Sequence, residues 1–351
     1  MNKRKKNLFF LLICCLLLTS VSGCSPAAEQ VSRSGFYFDT IITITLYNTS
    51  NEGYIDHCFE LAEKYERKFS NTIMDSEISL INQNAGQFVT VSDETLSLLQ
   101  SAINYGEMSD GFFDITIGPL TKLWDISSVS SRLQTENNEA EASVLPSKEE
   151  VLKTLQHVDY HTIEIANHQV RLVDKKASID LGGIAKGYIA DRMKEYLNEN
   201  GITSGIINLG GNVLTLGEKE SKEPYKIGIQ RPFGNNGESI GTLSVKDASV
   251  VSSGIYERYY RVNDKIYHHI LDPTTGYPVK NELWQVTIIS QSSLDGDALS
   301  TACFSLGLDA GLDLIESLDQ VEAIFVTCRE EIITSSGIGS DILFSAEESL
   351  N

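Results

Sequence analysis

Asp297 and Thr301 stand four residues apart in Asp295-Gly296-Asp297-Ala298-Leu299-Ser300-Thr301, so on a helix they share one face. A carboxylate and a hydroxyl there offer two oxygen ligands to a hard cation. Magnesium suits such a pair, because it takes few protein oxygens and keeps its other positions for water or phosphate. The alternative is Asp297 as an N-terminal helix charge with Thr301 on the surface. In Asp180-Leu181-Gly182-Gly183-Ile184-Ala185-Lys186-Gly187 a strand ends, two glycines turn and a helix starts. Free N–H groups and the positive end of the helix dipole favour a phosphate there, and Lys186 adds a full charge. A plain strand-to-helix turn is the other reading. Asn208-Leu209-Gly210-Gly211-Asn212 is either a tight turn or a place where a ligand comes close to the backbone.

The segment Tyr267-His268-His269-Ile270-Leu271-Asp272-Pro273-Thr274-Thr275-Gly276 carries a possible acid/base group before a rigid turn. Adjacent histidines on a strand face opposite sides, so only one of them can enter a site. Without a further His or Cys cluster a zinc site is not expected. Phe112 and Phe113, beside turn glycines in Asp110-Gly111-Phe112-Phe113-Asp114, form either a ring-stacking wall or core. Ser253-Gly254-Ile255-Tyr256-Glu257-Arg258 reads on its own as a strand with alternating aromatics.

In this order, the six motifs resemble the ApbE family, the FAD:protein FMN transferases. The resemblance runs from about Phe36 to Phe344 and includes Phe38-Asp39-Thr40, Asp75-Ser76-Glu77-Ile78-Ser79 and Leu123-Trp124. Its strongest pair is Ser-Gly-x-Tyr-Glu-Arg with His-Ile-x-Asp-Pro-x-Thr-Gly. The resemblance implies a magnesium-dependent enzyme that takes FAD, transfers its FMN half to a Thr or Ser hydroxyl of a target flavoprotein, and releases AMP. It places metal ligands at Asp297, Thr301 and the main chain of Gly183. Flavin contacts would fall at Phe38, Thr72, Phe112, Phe113, Asp114, Asp180, Lys186 and Leu271. Ser300 stands where some members carry a further acidic ligand, and Thr72 where some carry Tyr. His269 is the candidate proton acceptor for the attacking hydroxyl, with Asp272 as an alternative that orients its own turn. Two alternatives stand beside FMN transfer: a magnesium-dependent FAD pyrophosphatase giving FMN and AMP at the same site, and a non-catalytic flavin-binding lipoprotein, in which Asp297, Thr301 and His269 would have no task.

The elements that must position these residues follow from periodicity. Strands are expected at Ile41–Tyr47, Gln87–Val91, Thr162–Ile165, Gln169–Leu172, Gly205–Leu209, Tyr225–Ile229, Gly241–Val245, Ser249–Ser252, Arg258–Val262 and Trp284–Ile289. Helices are expected at Asp56–Phe69, Asp93–Met108, Ile184–Asn198, Ala298–Leu306 and Ala310–Leu318, and from a capping box at Ser147 to about His157. Val321–Thr327 and Glu331–Ser335 read as a closing hairpin. Ser127–Pro146, rich in Ser, Glu and Asn, reads as an exposed insertion loop. Short connections imply mainly antiparallel or mixed sheets with flanking helices, an α+β class, in one catalytic domain over residues 35–346. A doubly wound dinucleotide fold is not expected, because no G-x-G-x-x-G joins a strand to a helix.

The 351 residues carry 28 Lys+Arg against 48 Asp+Glu, a formal charge of −20. Such a surface argues against nucleic acid as a partner. Lys3-Arg4-Lys5-Lys6, an uncharged run from Leu8 to Leu18 and Val21-Ser22-Gly23-Cys24 read as an export signal over residues 1–23. The last of these resembles a bacterial lipobox with Cys24 as the lipidated residue. A short tether over residues 24–34 would then hold the protein to the outer side of the cell membrane. Removing the leader takes away four positive charges and leaves the chain near −24 (24 against 48). Cys58, Cys303 and Cys328 are too widely spaced for a disulfide framework, and Cys303, in an apolar run, reads as core.

Overall fold

A computed structural model describes residues 29–136, 142–235, 237–340 and 342–347. The leader and Cys24 lie outside the described residues. One eight-stranded sheet organises the chain: Gln30–Tyr37, Thr40–Tyr47, Ser204–Leu209, Asn212–Gly217, Ser249–Gly254, Leu283–Ser290, Glu322–Thr327 and Ile332–Thr334. These strands lie side by side in chain order, and every pairing between neighbours is antiparallel. The fold is therefore a meander, with everything else inserted between consecutive strands, and the expected α+β class holds.

Both faces of the sheet are covered. Val286, Ile288, Ala323 and Phe325 join a core with the helices Gly53–Phe69, Ala185–Glu199 and Ser293–Leu306. Their neighbours Ile289, Ile324 and Val326 join a second core with the three-stranded sheet of Tyr225–Gln230, Ser239–Val245 and Leu343–Ala346. Two-sided burial is why Leu283–Ser290 reads as a nearly continuous apolar run instead of alternating. A third core is a lobe: Leu120, Trp124, Ile126, Val129, Val151, Tyr260, Val262 and Leu271. It is built from the helices Gly118–Trp124, Ile126–Glu136 and Lys148–Leu155 and the hairpin Tyr259–Val262/Lys265–His268.

Two sequence expectations are corrected. The tether over residues 24–34 overlaps a strand: Gln30–Tyr37 pairs along its whole length with Thr40–Tyr47, so the sheet starts at Gln30. Its polar residues fall on alternate, exposed positions, which made the stretch look unstructured. Ser127–Pro146 is not a loop throughout, since Ile126–Glu136 is a helix. Ile126 and Val129 are buried in the lobe with Leu133 packed against them, a three- and four-residue spacing that the serines between them mask. Smaller differences are the helix Gly118–Trp124 and the strands Asn212–Gly217, Lys265–His268 and Leu343–Ala346, all unanticipated, and an earlier start, at Ser293, for the helix carrying Asp297. Ser147 and Glu150 do form the expected capping box, and Cys303 is fully buried.

Candidate active site

The helices Ala185–Glu199 and Ser293–Leu306 meet at Gly187. A Cβ there would lie 2.2 Å from the Ser293 carbonyl oxygen, so only glycine lets the backbones approach this closely. This contact brings the two motifs together. Asp297 is 3% exposed, and its Oδ1 lies 3.2 Å from Lys186 Nζ. Its Oδ2 accepts the Gly187 N–H at 3.0 Å. Lys186 Nζ also donates to the Gly182 carbonyl at 3.0 Å, so an ammonium group already bridges a carboxylate and a main-chain oxygen at this point.

Thr301 lies one turn further along the helix and faces Gly183. A Cβ on Gly183 would sit 3.3 Å from Thr301 Oγ1 and 3.3 Å from Phe113 Cε2. Ser253 Oγ, at the end of Ser249–Gly254, lies 3.3 Å from Thr301 Oγ1 and 2.8 Å from Ser300 Oγ. Ser300 Oγ donates back to the Asp297 carbonyl at 3.0 Å, so its hydroxyl is engaged within the helix and with Ser253. The absent Cβ at Gly183, one buried carboxylate, one hydroxyl and nearby carbonyls form an oxygen cradle that fits a small hard cation. Among the described residues there is no cluster of three or more His, Cys, Asp or Glu that could hold a metal ion.

The Gly182-Gly183 turn has fewer free donors than expected. Gly182 N–H donates to Asp180 Oδ1 at 2.9 Å, Ile184 and Ala185 N–H to the Leu181 carbonyl, and Gly187 N–H to Asp297. Positive charge here comes from side chains more than from the helix end. The Gly210-Gly211 turn is a two-residue hairpin connection with both glycines at positive φ. It packs tightly on Thr40, whose Oγ1 would lie 2.1 Å from a Cβ on Gly210, and so seats the Phe38-Asp39 turn.

His268 and His269 do face opposite ways. His268 is buried against Phe304, and its Nε2 bonds the Val279 carbonyl at 2.9 Å. Burial pushes its imidazole down to about 4. His269 is recessed at the seam between the lobe and the main core. Its backbone N–H donates to the Arg258 carbonyl at 3.1 Å, and its ring Nδ1 lies 3.2 Å from the same oxygen. A carbonyl only accepts, so Nδ1 carries the proton and Nε2 keeps its lone pair. Enclosure by protein, then the Arg258 charge, push this imidazole down to about 3, and it is neutral at any working pH. His269 also borders a crevice of about 80 Å³ with Thr121, Trp124, Asp125, Ile126, Ser127 and Leu271.

Glu257 and Arg258 stand in the Ser-Gly-x-Tyr-Glu-Arg motif that carries the resemblance, but the sequence reading gave neither a role; in the structure their charges act beside Lys186 and Asp297. Glu257 reaches solvent with protein packed around its carboxyl. That enclosure pushes its carboxyl up to about 7, against the opposing Lys186 and Arg258 charges and with Asp297 adding to the rise. The motif, placed just after a strand end, was the available signal for both residues.

Other expected flavin contacts have structural duties. Asp114 Oδ1 accepts Thr116 N–H and Oγ1 at 2.7 and 2.6 Å, and its Oδ2 accepts Tyr160 N–H at 3.0 Å. Burial raises its carboxyl above the usual range. Asp272 ties down its own turn through Thr274 and Thr275, the orienting alternative considered for it. Phe113 packs edge-on against Tyr105, whose hydroxyl donates to Asp295. Phe112 is half-buried beside it. Phe38 donates its N–H to Glu66 Oε1 at 2.7 Å. Thr72 is exposed in a local turn with Ser70, and no contact joins it to the Asp297 cluster.

Comparisons with known proteins bear on the family and the fold. The family model described as "ApbE family" matches residues 38–325. An FAD:protein FMN transferase of Klebsiella pneumoniae is 38% identical over 87% of this chain and 92% of its own. One from Treponema pallidum is 29% identical over 92% of each. Among solved structures, the flavin transferase ApbE from Vibrio cholerae superposes with a TM-score of 0.77 at 26% identity, covering 88% of this chain and 98% of that one. The ApbE protein from Thermotoga maritima gives 0.77 at 32% identity, covering 88% and 97%. The chain belongs to the ApbE family.

Proposed function

We propose that the chain transfers the FMN half of FAD to a threonine or serine hydroxyl of a target flavoprotein and releases AMP. The observation that carries this reading is the meeting of Asp297 with Lys186 and of Thr301 with Gly183 in a member of this family, with His269 close enough to feel the Lys186 charge. Asp297 and Thr301, with the Gly183 main chain, would hold a magnesium ion. When bound, that ion supplies the positive charge that a diphosphate needs in a protein this acidic.

The protein's own residues do the rest. Lys186 and Arg258 add charge beside the diphosphate. Phe113 and Gly183 shape the wall against which the substrate lies. The acceptor oxygen forms a bond to the phosphorus of the FMN half, and the bond from that phosphorus to the bridging oxygen breaks. The bridging oxygen leaves with AMP, taking the electron pair. His269 Nε2, kept unprotonated, accepts a hydrogen bond from the attacking hydroxyl and orients it, and Glu257, whose carboxyl lies near 7, is the group matched to take up the proton. Hydrolysis of FAD by the same site would put water in place of the acceptor hydroxyl.

Incubation of the purified protein with FAD, magnesium and a candidate acceptor tests the reading. A fluorescent flavin band on the acceptor that survives denaturing electrophoresis is expected. FMN and AMP formation with no labelled acceptor, over a panel of extracellular flavoproteins, would favour hydrolysis. We also propose, from the leader alone, export and anchoring through a lipid on Cys24. Cys24→Ala should then move the protein out of the membrane fraction.

A further inference from the structure

The contact between the helices Ala185–Glu199 and Ser293–Leu306 is reciprocal. Asp297, in the second turn of Ser293–Leu306, accepts the Gly187 N–H in the first turn of the other helix. Asp191, in the second turn of Ala185–Glu199, accepts the N–H groups of Ser293 at 2.8 Å and Leu294 at 2.9 Å, in the first turn of its partner. It also accepts the Ser292 hydroxyl at 2.9 Å. Each helix therefore carries the carboxylate that satisfies orphan donors at the other's N-terminus. Ser292 is the local cap, but its side chain reaches only the Asp295 N–H, at 3.3 Å. The two donors it leaves are the ones Asp191 takes.

The two halves of this clasp are not equivalent. Both oxygens of Asp297 have a protein partner, Lys186 on one and Gly187 on the other, so a cation that binds Asp297 competes with the Lys186 ammonium for that carboxylate. Asp191 has no part in the cradle, and its half stays closed. We propose that Asp191 is a positioning residue for the Asp297–Thr301 pair: it fixes the Ser293–Leu306 helix in place, so that both ligands stay aimed at the cradle when a cation displaces Lys186 from Asp297. The inference rests on the reading that Asp297 and Thr301 hold the cation. Charge complements the geometry, since a carboxylate at a helix N-terminus meets the positive end of the dipole.

The test measures Mn2+ binding to the full protein without flavin, by electron paramagnetic resonance, well below the unfolding temperature of every variant. Asp191→Ala is expected to weaken Mn2+ binding about tenfold, the scale seen when groups that orient metal ligands are removed. Asp191→Asn, whose amide oxygen still accepts, should weaken it less and serves if the alanine variant does not fold. Two controls should bind Mn2+ like the wild type. Asp295→Asn removes a charge from the same helix without touching the Ser293 and Leu294 amides, and Leu243→Ala destabilises the distant second core. Wild-type affinity in both Asp191 variants would overturn the inference, as would an equal loss in either control. Absence of Mn2+ binding by the wild type would overturn the cation reading itself, and the inference with it.

Discussion

Gly187→Ala separates helix propensity from close packing at the heart of the site. Inside a solvent-exposed helix, alanine for glycine stabilises by about 1 kcal/mol. Here the new methyl would stand 2.2 Å from the Ser293 carbonyl oxygen, 2.6 Å from its carbon and 2.8 Å from Leu294 Cα, all backbone atoms. No side-chain rotation relieves that clash, so the helices must part by about an ångström. Overpacking of this kind costs about 1–3 kcal/mol, and contact with rigid backbone puts this site at the top of that range. The net effect is therefore destabilisation by about 2 kcal/mol, opposite in sign to the propensity term. The same displacement opens the Gly187–Asp297 hydrogen bond and the Lys186–Asp297 ion pair. A misplacement of about an ångström in a catalytic arrangement costs up to about a hundredfold in rate. Urea unfolding gives the stability change, and labelling of an acceptor with FMN from FAD gives the rate in the folded variant. A variant that is more stable than wild type and transfers FMN normally would refute the reasoning.

Three further outcomes are expected. Asp297→Ala should abolish FMN transfer and weaken FAD binding; full transfer by this variant without added metal would remove Asp297 from cation binding. His269→Gly should leave FAD affinity near wild type, by fluorescence titration, while acceptor labelling stops; unchanged labelling would exclude His269 from the mechanism. His268, 4% exposed and held near 4, makes the fold acid-labile. Its folded value lies below the ordinary 6.5, so its full contribution is present above about 6.5. That contribution declines as the pH falls and is lost once the pH passes about 4, a change of roughly 3 kcal/mol. His268→Phe should flatten the pH dependence of urea unfolding between pH 7 and 4, and an unaltered slope would show that His268 is not the cause.

Local information in the chain was enough for the α+β class, for most strands and helices, and for the motifs whose order identifies the family. Two-residue periodicity and glycine turns are short-range signals, and the Ser147 capping box was readable for that reason, whereas Gly210-Gly211 showed only a turn among its alternatives and not the hairpin with Asn212–Gly217. So was the opposite facing of His268 and His269, which follows from strand geometry alone. Where the composition of a stretch hid its period, reading failed: Gln30–Tyr37 and Ile126–Glu136 are rich in serine and looked unstructured, yet each presents one apolar face to a core.

The site needed tertiary structure because its parts lie far apart in the chain. Lys186 and Asp297 are separated by 111 positions and meet only where Gly187 lets two helices touch. That meeting turned Lys186 from a free charge into the partner of Asp297, and gave the Gly187 N–H to a carboxylate instead of a phosphate. It also made Asp191, a residue with no motif around it, the group that holds the facing helix in place. Glu257 and Arg258 entered the site for the same reason, since enclosure and neighbouring charge are properties of the folded cleft. The sequence by itself determined which residue types were available and which helix or strand face each would occupy. Which of them share a low-dielectric cleft, and so which charges act on one another, was decided only by the packing of elements distant in the chain.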